Sequence, residues 1–262
     1  VIFRYLFMDV IEIDPRVCVR WQYADRNYFE FGDVDVLAED IKRNGQITPV
    51  FVRPLKDNDK FKYEVIAGSR RLKACLGADI MMKAIVIDVP DIEAATIQIK
   101  ENEQLGLSEY SKGMSFAKLK EDGKLTQDQL SDIAGCSRKK IQSLLCFAKV
   151  SKDIWNAVGN MSKVSARSAE TILAVYKKSD DHKKALIEIA EEIRKGAGSV
   201  RIERMVNEIL NGSFKGEEEE VIEGHNGKPI AVWKKGGIFF SKNINFNKQK
   251  LNKLLMEFFK DE

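Results

Sequence analysis

Leu125–Leu145 reads LTQDQLSDIAGCSRKKIQSLL, two short helical patterns on either side of a glycine. Thr126 and Gln129 form a T-x-x-Q capping box that opens the first helix. Ala134 is small where two helices must approach closely, and Gly135 permits the sharp turn between them. Ser137 can cap the second helix, on which Ile141, Leu144 and Leu145 face a core. That leaves Arg138, Lys139, Gln142 and Ser143 on the outward N-terminal half, donors able to reach phosphates and base edges as a helix-turn-helix requires. Thr126, Gln127, Ser137 and Lys140 complete the expected DNA-binding set. A helical hairpin with a merely basic face is the alternative.

Working outward from this pair, the periodicity predicts helices at about 109–121, 126–134, 137–149, 152–158, 165–178, 182–195 and 199–211. The chain of 262 residues carries 43 basic and 40 acidic side chains, and they are unevenly placed. Residues 1–110 are net −4, residues 111–212 net +6 and residues 213–262 net +1. The helical middle therefore holds the positive charge, which suits a phosphate backbone, although an ordinary charged surface gives the same count.

Strand and helix signals alternate ahead of it. Val10–Ile13 reads as a strand, and a helix after Asp33 ends at Asn44-Gly45, where Gly45 suits a left-handed cap. Strands follow at 49–53, 61–66 and 83–89, with a short helix at 70–75 and a longer one from Asp91 to about Gln104. This is an α/β domain of about 105 residues. In Ala67-Gly68-Ser69-Arg70-Arg71 a strand runs through a Gly-Ser turn into a helix that opens with two arginines. Free N–H groups, a hydroxyl and two guanidiniums converge there, as a phosphate chain requires. It is not a P-loop, since G-x-x-x-x-G-K-[ST] is absent. Glu101-Asn102-Glu103-Gln104 offers carboxylates and amides either to a metal and nucleotide or to solvent.

The end of the chain differs again. GSFKGEEEE, residues 212–220, reads as a flexible acidic linker. Strands at 229–235 and 238–244 join through Gly236-Gly237, and Leu251, Leu254, Leu255, Phe258 and Phe259 form one helical apolar stripe. About 40 residues rarely bury enough surface alone, so this unit is expected to pair with a second copy as a homodimer, with docking on the rest of the chain as the alternative.

Other classes fall away. No apolar run reaches the roughly 18 residues of a membrane helix. VIFRYLFMDVIEI lacks a basic start and a small-residue cleavage site, so it is not read as a signal peptide; without an initiator Met, the numbering is expected to begin inside a longer protein. Cys18, Cys75, Cys136 and Cys146 have no metal-ligand spacing and only two His accompany them, which fits reduced thiols in the cytoplasm.

Four segments, in this order, resemble the ParB/RepB partition family. DRNYF (25–29) resembles P-R-x-x-F, and LAEDIKRNGQITPVFVR (37–53) is similar to L-x-x-S-I-x-x-x-G-x-x-x-P-x-x-V-R. GSRRLKA (68–74) resembles G-E-R-R-x-R-A, and ENEQ (101–104) resembles E-N-x-Q-R. The resemblance implies a multidomain α+β chain. A ParB/sulfiredoxin-like α/β domain would span 1–108, an all-α helix-turn-helix domain 109–212, an acidic linker 213–224 and a small ββα dimerisation unit 225–262. It implies CTP with Mg2+ in the first domain. Gly68, Ser69, Arg70 and Arg71 would lie at the triphosphate, Glu101 and Asn102 at the metal and phosphates, and Gly45, Gln46 and Pro49 along the pocket, with Arg26 nearby. It further implies double-stranded DNA with a centromere-like inverted repeat as target, a ParA-type ATPase as partner and a nucleoid- or plasmid-associated place in the cytoplasm. Ser69 replaces the pattern's Glu and Leu105 its final Arg, so binding is implied more firmly than hydrolysis, which is at most slow. A ParB-like transcription regulator shares every one of these residues. An enzyme of the same fold type (kinase, nuclease or sulfiredoxin-like) is a third reading; the sulfiredoxin-like form requires a reactive thiol, for which Cys75 is nearest.

Overall fold

The computed structural model describes residues 8–56, 58–103, 106–212, 220–224, 229–234, 237–241 and 247–258. They fall into two compact units, Val1–Leu210 and Asn211–Glu262. The expectation about the opening VIFRYLF, like Gln104, Leu105 and most of the acidic linker, lies outside the described residues.

In the first unit β1 (Val10–Ile13), β2 (Cys18–Arg20), β3 (Val50–Pro54), β4 (Tyr63–Ala67) and β5 (Met82–Val86) form one sheet in the order β1-β5-β3-β4-β2. The β1/β5 and β3/β4 pairs are antiparallel, whereas β3/β5 and β2/β4 are parallel. The interior strands read as nearly continuous apolar runs because both their faces are covered. Val50, Val52 and Val65 are wholly buried and pack with Leu72 and Cys75 of α2 (Ser69–Ala78) and Ala38 and Ile41 of α1 (Val34–Asn44). Each of the buried valine, leucine and isoleucine side chains contributes about 1.5–3 kcal/mol. Asp33 caps α1 through Val36 N, and Gly45 ends it with φ +78°. The predicted short helix is longer than 70–75: Asp79, at φ +53°, closes it after Ala78. Strand β2 went unpredicted, since three residues after a Pro15–Val17 3-10 turn are too few to show alternation.

Helix α3 (Asp91–Glu103) leads to α4 (Glu109–Glu121), α5 (Gln127–Ala134), α6 (Arg138–Leu145), α7 (Lys152–Val158), α8 (Ala166–Tyr176), α9 (Asp180–Glu188), α10 (Ala190–Arg194) and α11 (Ser199–Leu210). Two expectations are corrected here. The helix read at 182–195 is a pair that breaks at Ile189, and the one read at 137–149 ends at Leu145 before a 3-10 turn, Phe147–Lys149. Phe147, Tyr110 and Trp155 make the aromatic centre of the bundle, with ring centroids 5.4–5.6 Å apart. Gly113 lets α4 lie against the end of α6: a Cβ there would stand 2.3 Å from the Leu144 carbonyl oxygen.

The sheet domain and the helical bundle are tied by specific bonds. The Tyr23 carbonyl accepts from Gln98 Nε2 (3.2 Å) and Ser115 Oγ (2.8 Å), and its hydroxyl donates to Asp122 (2.8 Å). Glu30 accepts from Ser108 N (2.7 Å) and from the Ser111 hydroxyl. Asp91 pairs with Arg53 (2.8 Å) and Lys124 (2.7 Å).

The second unit holds β6 (Glu220–Glu223), β7 (Pro229–Lys234) and β8 (Gly237–Phe240) as an antiparallel sheet in that order, followed by α12 (Lys248–Phe258). A hairpin was expected and three strands are present. Strand β6 lies inside the stretch read as linker, its Val-Ile pair masked by the acid run before it. Leu251 is half-buried and Leu254 is 56% exposed. The side chains of Leu255 and Phe258, and Phe259 altogether, lie outside the described residues.

Candidate nucleotide and DNA sites

The β4–α2 junction builds the first site. Gly68 has φ +106°, and a Cβ on it would lie 2.5 Å from Val50 Cγ1, so both the backbone and the space require glycine. Helix α2 starts directly after it at Ser69. A pocket of about 480 Å³ opens there. All ten expected nucleotide residues line it: Arg26, Gly45, Gln46, Pro49, Gly68, Ser69, Arg70, Arg71, Glu101 and Asn102.

Their local partners divide them by role. The Arg70 Nε is buried and has no hydrogen-bond partner, an uncommitted donor at a helix start. Arg71 is committed. It donates to the Thr48 and Pro49 carbonyls (3.0 and 2.8 Å) and pairs with Glu101, both side chains being 16% exposed. It therefore clasps the 45–49 loop to the end of α3. Gln46 is committed as well. Its amide donates to the Thr48 and Lys83 carbonyls and accepts from Lys83 N at 2.8–2.9 Å, so both its N–H groups are spent on shaping the wall. Ser69 Oγ accepts from Arg20 Nε (3.0 Å), and the buried Arg26 donates to the Glu30 carbonyl (2.9 Å). Burial lowers the pKa of both arginines, opposed by the nearby Asp25 carboxylate.

Sequence reading missed two residues beside this site. Arg20, which reaches it only through its bond to Ser69, sits on the unpredicted β2. Asp25 borders the pocket and accepts from Asn102 Nδ2 through both oxygens, at 3.0 and 3.1 Å. Burial pushes its carboxyl up to about 6, against a lowering by Gln98. The available signal was its place beside Arg26 in the quoted DRNYF segment.

The donors fit a phosphate chain: a free guanidinium nitrogen, a glycine that leaves room for close approach, and a helix N-terminus. The described residues contain no group of three or more His, Cys, Asp or Glu that could hold a metal. A divalent ion at Glu101 and Asn102 thus depends on phosphate oxygens as further ligands.

The second site is the α5–α6 pair. The Thr126–Gln129 capping box is present, Gly135 turns at φ +60°, and Ser137 Oγ accepts from Lys140 N (3.2 Å). The Thr126 and Ser137 hydroxyls thereby serve as caps. Arg138, Lys139 and Gln142 are exposed, Arg138 beside Asp128 (2.6 Å), and Gln127 Nε2 donates to the Arg138 carbonyl (3.1 Å). One expectation fails and a second residue is partly engaged elsewhere. Ser143 is buried, its hydroxyl against Glu170 (2.6 Å) and the Lys139 carbonyl (3.0 Å), because α8 covers that side of α6. Lys140 is half-buried and paired with Glu109, whose other oxygen takes the Ala166 amide that starts α8.

Residues 8–103 match the ParB N-terminal domain and residues 106–211 the ParB HTH domain. The chain belongs to the ParB family. It is 29% identical over 208 residues to the nucleoid occlusion protein of Oceanobacillus iheyensis, covering 78% of this chain and 70% of that one. It is 34% identical over 128 residues to the probable chromosome-partitioning protein ParB of Pseudomonas putida (48% and 43% covered). With the nucleoid occlusion protein of Bacillus cereus the figures are 32% over 186 residues (70% and 60%), so the chain spans less than two thirds of these last two relatives. Among solved structures, C-terminally truncated ParB from Caulobacter crescentus complexed with CTP-gamma-S is 23% identical, with TM-score 0.34, over 71% of this chain and 98% of that one. The same protein on the centromeric parS site gives 21% and 0.44, over 76% and 99%. In this ParB chain the N-terminal match holds the pocket and the HTH match holds α5 and α6.

Proposed function

We propose that this ParB-family chain is a dimeric, sequence-specific DNA clamp switched by CTP with Mg2+, acting in DNA segregation with a ParA-type ATPase. The observation that carries the reading is the convergence on one pocket of ten residues drawn from separate stretches between positions 26 and 102, with a buried, uncommitted Arg70 Nε among them. Gly68 and the start of α2 give backbone N–H groups to phosphate oxygens, and Arg70 adds a charge-assisted bond. Arg71 holds the loop and α3 together around them. When bound, Mg2+ neutralises phosphate charge beside Glu101 and Asn102. These two residues end α3, a few residues before α4, and α4 packs on the DNA-reading α6. Nucleotide occupancy therefore acts on the segment that leads into the DNA-binding bundle. On α6, Arg138 and Gln142 read bases while Lys139 holds backbone. In the second unit, Val221 and Phe239 expose half their surface, apolar area that a second copy covers.

A role in nucleoid occlusion or promoter control uses the same parts, and the relatives named nucleoid occlusion proteins favour it as the second reading. The sulfiredoxin-like enzyme has no support: Cys75 is wholly buried and burial raises its thiol pKa. None of the described helices is long and apolar enough to cross a membrane. Selection of tight binders from a random duplex pool tests the reading. An enriched inverted repeat is expected, whereas recovery of sequences without a shared motif would refute it.

A further inference from the structure

The Asp25–Asn102 contact fixes something the pocket needs. An ionised carboxylate only accepts hydrogen bonds. Since both Asp25 oxygens lie 3.0–3.1 Å from Asn102 Nδ2, the amide NH2 must point at Asp25. Its carbonyl oxygen is then the atom left for the pocket that Asn102 lines. Without Asp25 the amide has two orientations, and one of them offers donors to the site where a cation needs an acceptor. In the quoted P-R-x-x-F pattern this position is proline, which has no side-chain acceptor, and this chain has Asp25 there.

Resting on the nucleotide reading above, we propose that Asp25 is a positioning residue that locks the Asn102 amide with its oxygen toward the nucleotide pocket, as an oxygen ligand for the divalent cation that accompanies the phosphates. It acts through Asn102 rather than as a ligand of the cation itself. Outer partners that orient a metal ligand typically change metal affinity 10–100-fold when removed.

The test uses the full chain, CTP and a Mg2+ titration. Asp25→Ala is expected to raise the Mg2+ concentration for half-maximal CTP binding about tenfold or more, while CTP affinity at saturating Mg2+ matches the wild type. Asp25→Asn keeps one acceptor oxygen and should fall between the two, and being isosteric it serves if the alanine variant misfolds by circular dichroism. An unchanged Mg2+ midpoint in either folded variant overturns the inference, as does an affinity deficit that saturating Mg2+ does not restore. Failure of the wild type to bind CTP at any Mg2+ concentration overturns the nucleotide reading itself.

Discussion

Replacing Gly113 by alanine sets two effects against each other. In a helix interior the change ordinarily gains about 1 kcal/mol, because glycine loses more backbone entropy on folding. Here the new methyl would meet the Leu144 carbonyl oxygen at 2.3 Å and Phe147 Cδ2 at 2.9 Å. The ring can tilt, but the carbonyl belongs to α6 and cannot rotate away. Helix α4 must retreat, and the contacts of Tyr110 with Phe147 and Trp155 open with it. Overpacking of this kind costs about 1–3 kcal/mol, and a rigid backbone neighbour puts the cost near the top of that range. The net loss is about 2 kcal/mol. For a unit of this size, roughly 2–4 °C per kcal/mol, Gly113→Ala should melt about 4–8 °C below wild type by calorimetry or circular dichroism. A Tm equal to or above wild type is the sign helix propensity alone gives, and it would refute the close approach of α4 and α6.

The other outcomes follow from the same contacts. Gln142→Ala should lower the ratio of specific to random DNA binding by about 1–3 kcal/mol, whereas Lys139→Ala should weaken all DNA alike and flatten the salt dependence, both read by anisotropy. Burial alone would raise the Asp91 carboxyl, but hydrogen bonds from Lys124 and Arg53 outweigh it and hold the pKa below the ordinary 3.8. Its folded pKa is thus depressed, so its contribution to stability is present above pH about 4 and lost as pH falls below that; Asp91→Asn should remove this acid-side loss in urea melts. A 1–210 truncation should sediment as a monomer in the absence of nucleotide, and a tight dimer there would place the contact outside the second unit.

Much of the first domain was legible because its apolar strands and the Gly68-Ser69-Arg70-Arg71 turn are local patterns, and neighbouring strands deliver their ends to one place. What stayed hidden was tertiary. Arg20 sits on a strand too short for a period, and Asp25 matters only through Asn102, 77 positions away. Ser143 was read outward from helical spacing and Lys140 was counted in the DNA-binding set, but Glu170 and Glu109 from distant helices engage them. Gln46 lines the pocket, yet its amide is spent on Thr48 and Lys83, which periodicity does not reveal. Strand β6 was lost behind four glutamates.

The most direct test of the central claim is calorimetric titration of CTP with Mg2+ into the wild type and into Arg70→Ala. Arg70 Nε has no partner, so its loss breaks no bond of that atom while removing a charge-assisted contact worth about 1.5–3 kcal/mol. Saturable binding by the wild type, weakened at least about tenfold in a variant of unchanged Tm, is the expected result. Equal CTP affinity in the two folded proteins would contradict the assignment of this pocket to the nucleotide.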